Sequence, residues 1–130
     1  MAELLIPTDD EAVAVAELND RMDVHIGTRV PNPLLEEFGR IVSTGGTSRD
    51  LVTDSATLAL EGFATTEGRA RRISAEMIAH LQAAGRAGSL GGVPCYGVRV
   101  VALPANLPMP SVPTRYRFTA TVTADLRRTT

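Results

Sequence analysis

The chain of 130 residues has no lysine and no tryptophan, one cysteine, two histidines, three phenylalanines and two tyrosines. Each shortage excludes something. A lone Cys95 cannot close an intrachain disulfide, so the fold must stand on its core. At this length roughly two-thirds of the unfolded surface can leave water, enough for one domain over 1–130 without a staple. His25 and His80, with no HxxxH spacing and no cysteine close by in sequence, form no metal-ligand pattern. No apolar run approaches the ~18 residues of a bilayer crossing, and Met1 to Glu11 carries acids and a proline where a leader carries a basic stretch and an apolar core. The expectation is a soluble chain made inside the cell, with no membrane partner. All thirteen basic residues are arginine, a bias that the codons of a GC-rich genome impose, so no recognition chemistry is drawn from it.

What is present begins with charge. The formal net charge of −2 hides an asymmetry: residues 1 to 65 hold twelve acids and four arginines, residues 66 to 130 three acids and nine arginines. If folding keeps the halves apart, an acidic surface on one copy can meet a basic surface on the next, head to tail, as in a ring.

Hydrophobic periodicity supplies the elements. Arg115 to Arg127 alternates without a break, Tyr116, Phe118, Ala120, Val122, Ala124 and Leu126 against polar neighbours, and predicts a strand with its even-numbered face buried. Thr66-Glu67 caps a helix running to Arg86, with Ala70, Ile73, Met77, Leu81 and Ala84 on its apolar face and Arg72 and Glu76 spaced for an ion pair. That helix is the natural cover for the last strand. An earlier helix is predicted from a Thr8–Glu11 capping box, with Ala12, Val15, Leu18 and Met22 as its stripe and an end near Asn19-Asp20. Strands are predicted over Val24–Val30, Phe38–Thr44, Ser55–Phe63 and Pro94–Leu103, the last with Tyr96, Val98, Val100 and Ala102 on one side. A long loop fills Gly45 to Asp54, and four prolines between Pro104 and Pro113 predict an extended, stiff surface arm. The order αβββαββ reads as an α+β two-layer sandwich: a mostly antiparallel sheet of four to five strands with two helices on one face.

Catalytic readings find little to stand on. Cys95 lies in a predicted strand and His80 on the polar face of a helix, so neither histidine is set up as its base. The glycines of Gly85 to Gly92 follow a helix and precede a strand, the reverse of a phosphate loop, and Gly45-Gly46-Thr47-Ser48 lacks the lysine of a Walker loop. Asp9, Asp10 and Glu11 are accounted for by capping, and Glu36-Glu37 by exposure. The expectation is a protein that is not an enzyme and holds no cofactor or metal. Arginines on the second helix and last strand have no aromatics between them, which disfavours sequence-specific nucleic-acid binding.

Taken together, Thr28-Arg29-Val30-Pro31-Asn32-Pro33, Thr44-Gly45-Gly46, Leu51-Val52-Thr53-Asp54, Thr66-Glu67, Gly91-Gly92-Val93-Pro94-Cys95-Tyr96, Pro104-Ala105-Asn106-Leu107-Pro108 and Arg115-Tyr116-Arg117-Phe118-Thr119 resemble, in order and spacing, the tail terminator proteins of long-tailed bacteriophages of GC-rich hosts. Leu34-Leu35 departs from that pattern. The resemblance implies a virion subunit assembled in the host cytoplasm into a six-membered ring at the head-proximal end of the tail tube. Its partners would be further copies of itself, the tube protein and the head-completion protein, with genome DNA passing through the lumen unread. Arg49, Asp50, Leu51 and Val52 in the loop and Asn106, Leu107 and Met109 in the arm are the residues assigned to partner contacts. The same inventory is compatible with another neck or tail ring subunit, such as a head-completion or tube protein, or with a small ligand-binding α+β domain.

Overall fold

A computed structural model describes residues 3–130; Met1 and Ala2, at the head of the stretch read for a leader, lie outside the described residues. In chain order the elements are α1 (Asp10–Arg21), β1 (His25–Gly27), β2 (Phe38–Ser48), β3 (Thr53–Ala64), α2 (Glu67–Ala87), β4 (Ser89–Leu90), β5 (Val93–Asn106) and β6 (Tyr116–Arg127). The six strands form one sheet in the order β1-β2-β3-β6-β5-β4, antiparallel except where β1 runs parallel to β2.

The class is α+β with two helices, as the periodicities predict, but the sheet is mixed and has six strands in the order αβββαβββ. The extra strand, β4, is only Ser89–Leu90, joined to β5 by a two-residue turn at Gly91-Gly92, where both residues have positive φ as such hairpins require.

β6 is the spine. Its even-numbered residues from Phe118 to Leu126 are buried, and the Arg71 guanidinium sits 4.9 Å from the Phe118 ring centroid. Tyr116 departs from the pattern and is exposed, because it lies at the strand's first position, past the end of the helix cover. β3 brings Ala56, Leu58 and Leu60 to the same side, where α2 supplies Ala70, Ile73, Met77 and Leu81 and α1 supplies Ala14 and Leu18, with Met22 just past its end. Each fully buried leucine or isoleucine there contributes ~1.5–3 kcal/mol relative to exposure. Gly62 lets α2 approach: a Cβ at that position would stand 2.4 Å from the Ala70 carbonyl oxygen. Ser74, buried under the same contact, donates to the Leu60 carbonyl at 3.0 Å.

α1 starts differently from its expected capping box. Asp9 is the N-cap, accepting from the Ala12 amide at 3.0 Å, while the Thr8 hydroxyl donates to the Arg127 carbonyl at 2.8 Å. The backbone of Ile6 pairs with Thr129, which holds the incoming chain beside the end of β6 and removes Thr8 from the helix axis. Asp10 and Glu11 fasten α1 to the sheet instead: Ser43 donates its hydroxyl to Asp10 and its amide to Glu11, both at 2.7 Å. Ala14 takes the buried place expected of Ala12.

Three further expectations are corrected. The strand predicted over Val24–Val30 is only three residues long, its outer edge closed by Asn19, whose side chain both accepts from and donates to the Ile26 backbone. The ten-residue loop does not exist. β2 runs on through Gly45 and Gly46, whose φ values of 98° and 123° make a bulge, and β3 begins at Thr53, leaving a hairpin tip of Arg49 to Val52. A Cβ on Gly46 would lie 2.1 Å from the Ser55 carbonyl oxygen, so this strand pairing needs glycine there. In β5 a register shift between Cys95 and Gly97 turns Tyr96 outward while Cys95 is buried and Val98 and Val100 pack on the core. The one-sided Tyr96–Ala102 pattern is thereby broken.

The proline arm is the fourth correction. β5 continues to Asn106, and the chain then turns back across the sheet face opposite the helices. There Phe38 and Phe63 stack with centroids 4.5 Å apart and planes inclined by 10°, Val112 is buried on them, and Met109 and Val30 pack alongside. Prolines exclude helix and inner strand, but the Phe38–Phe63 pair decides where this segment goes.

Candidate functional site

The residues assigned to partner contacts fall into two groups at opposite ends of β6. The hairpin tip adjoins Arg127, and Asn106 pairs with Phe118. With ~3.3 Å of rise per residue, the eleven steps of β6 put roughly 35 Å between the ends.

At the hairpin, Asp50 is committed to the turn. Its Oδ1 accepts from the amides of Val52 at 2.8 Å and Thr53 at 2.9 Å, and Ser48 donates its hydroxyl to the Asp50 carbonyl at 3.1 Å. The turn is tied to the body through Arg128, whose backbone amide donates to the Val52 carbonyl at 2.7 Å and whose guanidinium grips Asp54 through three contacts of 2.9 to 3.1 Å. The hydrogen bonds from Arg128 to Asp54 hold that guanidinium above its ordinary range, so it stays charged. Arg49 lies 3.7 Å from Asp125, a loose pair at the rim of the sheet. Leu51, at the summit, is 84 % exposed. A rigid turn presenting one apolar side chain is the site's clearest feature. A cleft of about 370 Å³ beside it is lined by Pro7, Thr8, Gly45, Ala56, Leu126 and Arg128, among others.

At the arm the assigned residues differ in what they can offer. The Leu107 amide donates to the Arg117 carbonyl at 3.1 Å, its carbonyl accepts from Arg117 Nε at 2.6 Å, and its side chain is exposed. Asn106 is exposed as well. Met109 is half-buried, packed on the Phe38–Phe63–Val112 cluster. Arg115 secures the return of the arm by donating to the Leu35 carbonyl at 2.9 Å.

The sheet face beneath carries a buried charge. Glu61 is 5 % exposed and lies between Arg40 and Arg117, the latter at 3.0 Å. Two arginines about one acid leave one positive charge over, and the pairing locks β2, β3 and β6 to the start of the arm through Arg117. Asp125 is bracketed similarly by Arg49 and, at 3.9 Å, Arg99, and accepts from Ser55 Oγ at 2.6 Å.

The catalytic alternatives are placed as follows. Cys95 is buried, and burial pushes its thiol up, with Asp125 adding to the rise; the thiol donates to the Gly97 carbonyl at 3.5 Å. His25 is on β1, four strands from Cys95 in the sheet order, or about 19 Å at ~4.8 Å per strand. His80 belongs instead with Glu17 and Arg21 around a shallow pocket on the helices. Burial works to raise the Glu17 carboxyl, but hydrogen bonds from Arg21 and the Gly91 amide outweigh it and leave the group below its usual range. Glu37, read as merely exposed, pairs with Arg69 at 2.9 Å. Among the described residues no cluster of three or more His, Cys, Asp or Glu is gathered as metal ligands would be, and no helix is long and apolar enough to cross a membrane.

Sequence reasoning placed the strand over Pro94–Leu103 but missed that its outer edge is open. β4 covers β5 only at Val93 and Pro94, so from Cys95 onward the outer edge of β5 has no strand partner among the described residues. Val101 and Leu103 on it are 63 % and 71 % exposed. The signal was legible: Val100-Val101-Ala102-Leu103 has no polar alternation, so an outer strand carrying that run must show apolar side chains to water. Comparison with protein-family models and with curated proteins finds no match to the chain.

Proposed function

We propose that the chain is a structural virion subunit, forming a ring at the head-proximal end of a phage tail tube, ending tube growth and joining the tail to the head connector. The observation that carries the reading is the hydrogen-bonded hairpin that offers Leu51 to solvent, in the loop assigned to partner contacts for its charge of each sign and its apolar anchor. A leucine this exposed on a hydrogen-bonded turn is placed to serve as an anchor for a neighbouring subunit.

Charge supports the same reading. Among the described residues nine acids have no arginine within ion-pair distance, and eight of them precede residue 65; of five arginines without a carboxylate partner, four follow it. Internal ion pairs therefore do not cancel the asymmetry, and complementary unpaired charge remains for heterologous contacts between copies.

The test is tube assembly. Added to polymerising tube protein, the chain is expected to shorten the tubes and appear as an end cap by negative-stain microscopy, while Leu51→Asp keeps the circular dichroism spectrum and loses both effects. Tubes of unchanged length and bare ends with the wild-type chain would contradict the proposal.

A further inference from the structure

The sheet has two open edges whose directions match. β2 and β6 run one way, β3 and β5 the other, so a copy placed alongside without inversion brings β5 antiparallel to the neighbour's β2. On β2, β1 covers only Phe38 to Arg40, and the Ser43 amide is taken by Glu11, which leaves Thr44 to Ser48 as an exposed edge stretch. On β5 the exposed counterpart is Arg99 to Leu103 and its continuation. Unpaired backbone at an edge is a template for another strand, and main-chain hydrogen bonds give such contacts their affinity.

Charge selects the occupant. The β5 edge carries Arg99, and Arg86 is close by, since Gly85 packs against Val98. The β2 side carries Asp10, Glu11 and Asp50, none of which has an arginine partner within the described residues, whereas the arginines near it, Arg49 and Arg128, are paired with Asp125 and Asp54. A two-fold pairing of β5 with β5 would bring the Arg99 side chains of both copies toward one axis; pairing β5 with β2 sets arginine toward acid.

We propose that a second copy of this chain docks by strand addition, its β2 edge at Thr44 to Ser48 pairing antiparallel with the β5 edge around Arg99 to Leu103. Repeated around a ring, the contact makes the sheet continuous from subunit to subunit. The proposal rests on the ring reading for its repetition, but its test does not use the tube.

The experiment is disulfide trapping between Leu103→Cys and Thr44→Cys, which the antiparallel register sets opposite each other, prepared separately at high concentration and mixed under mild oxidation. Both positions are exposed, and the buried Cys95 makes the wild-type chain the control for background. The expected result is a mixed disulfide several-fold more abundant than either homodimer. Predominance of the Leu103→Cys homodimer would replace the contact by a two-fold β5 pairing, and no cross-link above the wild-type background would overturn it, whether or not rings form. Val101→Glu, which keeps the fold because the side chain is exposed, is expected to weaken self-association at least tenfold by sedimentation; unchanged association would also overturn it. Mixed disulfides together with unaffected tubes would leave strand addition standing and remove the tail reading; end-capped tubes with no cross-link would do the reverse.

Discussion

The hairpin tip and the proline arm sit at opposite ends of one strand and look alike in sequence: neither has a helical or strand periodicity. They differ in what lies beneath them. The tip has a local frame, made by Asp50 and Arg128, and its one large apolar side chain points to water. The arm, held at its ends by the Leu107–Arg117 and Val112–Met109 backbone bonds, lands on the Phe38–Phe63 pair, so Val112 becomes interior and Met109 half-buried. Whether a loop is an interaction surface is therefore decided by what its apolar residues find within the same chain: Val112 finds the aromatic pair, while Leu51 finds nothing and Leu107 stays half exposed.

Substitutions that attack each side of this contrast should separate it. Phe63→Ala removes half of the stack and the floor under the arm and is expected to cost ~3–5 kcal/mol in chemical denaturation; a loss below 1 kcal/mol would mean the arm is not anchored there. Val112→Ala deletes two methyl-sized groups at ~0.8 kcal/mol each and should cost roughly 1.5 kcal/mol, with faster proteolysis within residues 107–115 as its local signature. Leu51→Ser, at the other end, should change stability by less than about 0.5 kcal/mol, since nothing packs on it. A larger loss there would make the tip a structural element like the arm and dissolve the distinction.

The elements most legible in the sequence are those whose partners cover one face completely. The alternation of β6 and the stripe of α2 both follow from a single helix-on-sheet contact, and the residues named for it are the ones buried. β5 was harder because an outer strand with three register shifts obeys no fixed period, so Tyr96 and Cys95 exchange the faces their spacing suggests. Gly45-Gly46 reads as a loop from composition, since glycine punctuates turns; here positive φ is used inside a strand, to pass close to Ser55. The helix cap moved from Thr8 to Asp9 because the pairing of Ile6 with Thr129, far apart in the chain, fixes the approach to α1. In the candidate site, Leu51 and Leu107 were placed correctly as exposed, while Asp50 and Met109 proved to have duties within the subunit that depend on partners no local pattern reveals.

Amide hydrogen exchange on the free chain and on the chain bound to tail tubes tests the account most directly. The Leu51 amide, which the turn does not hold, is expected to exchange quickly when free and to gain at least tenfold protection on the tube, while the arm's Val112 amide, bonded to the Met109 carbonyl, is protected in both states. Protection that rises in the arm and leaves the hairpin unchanged would contradict it.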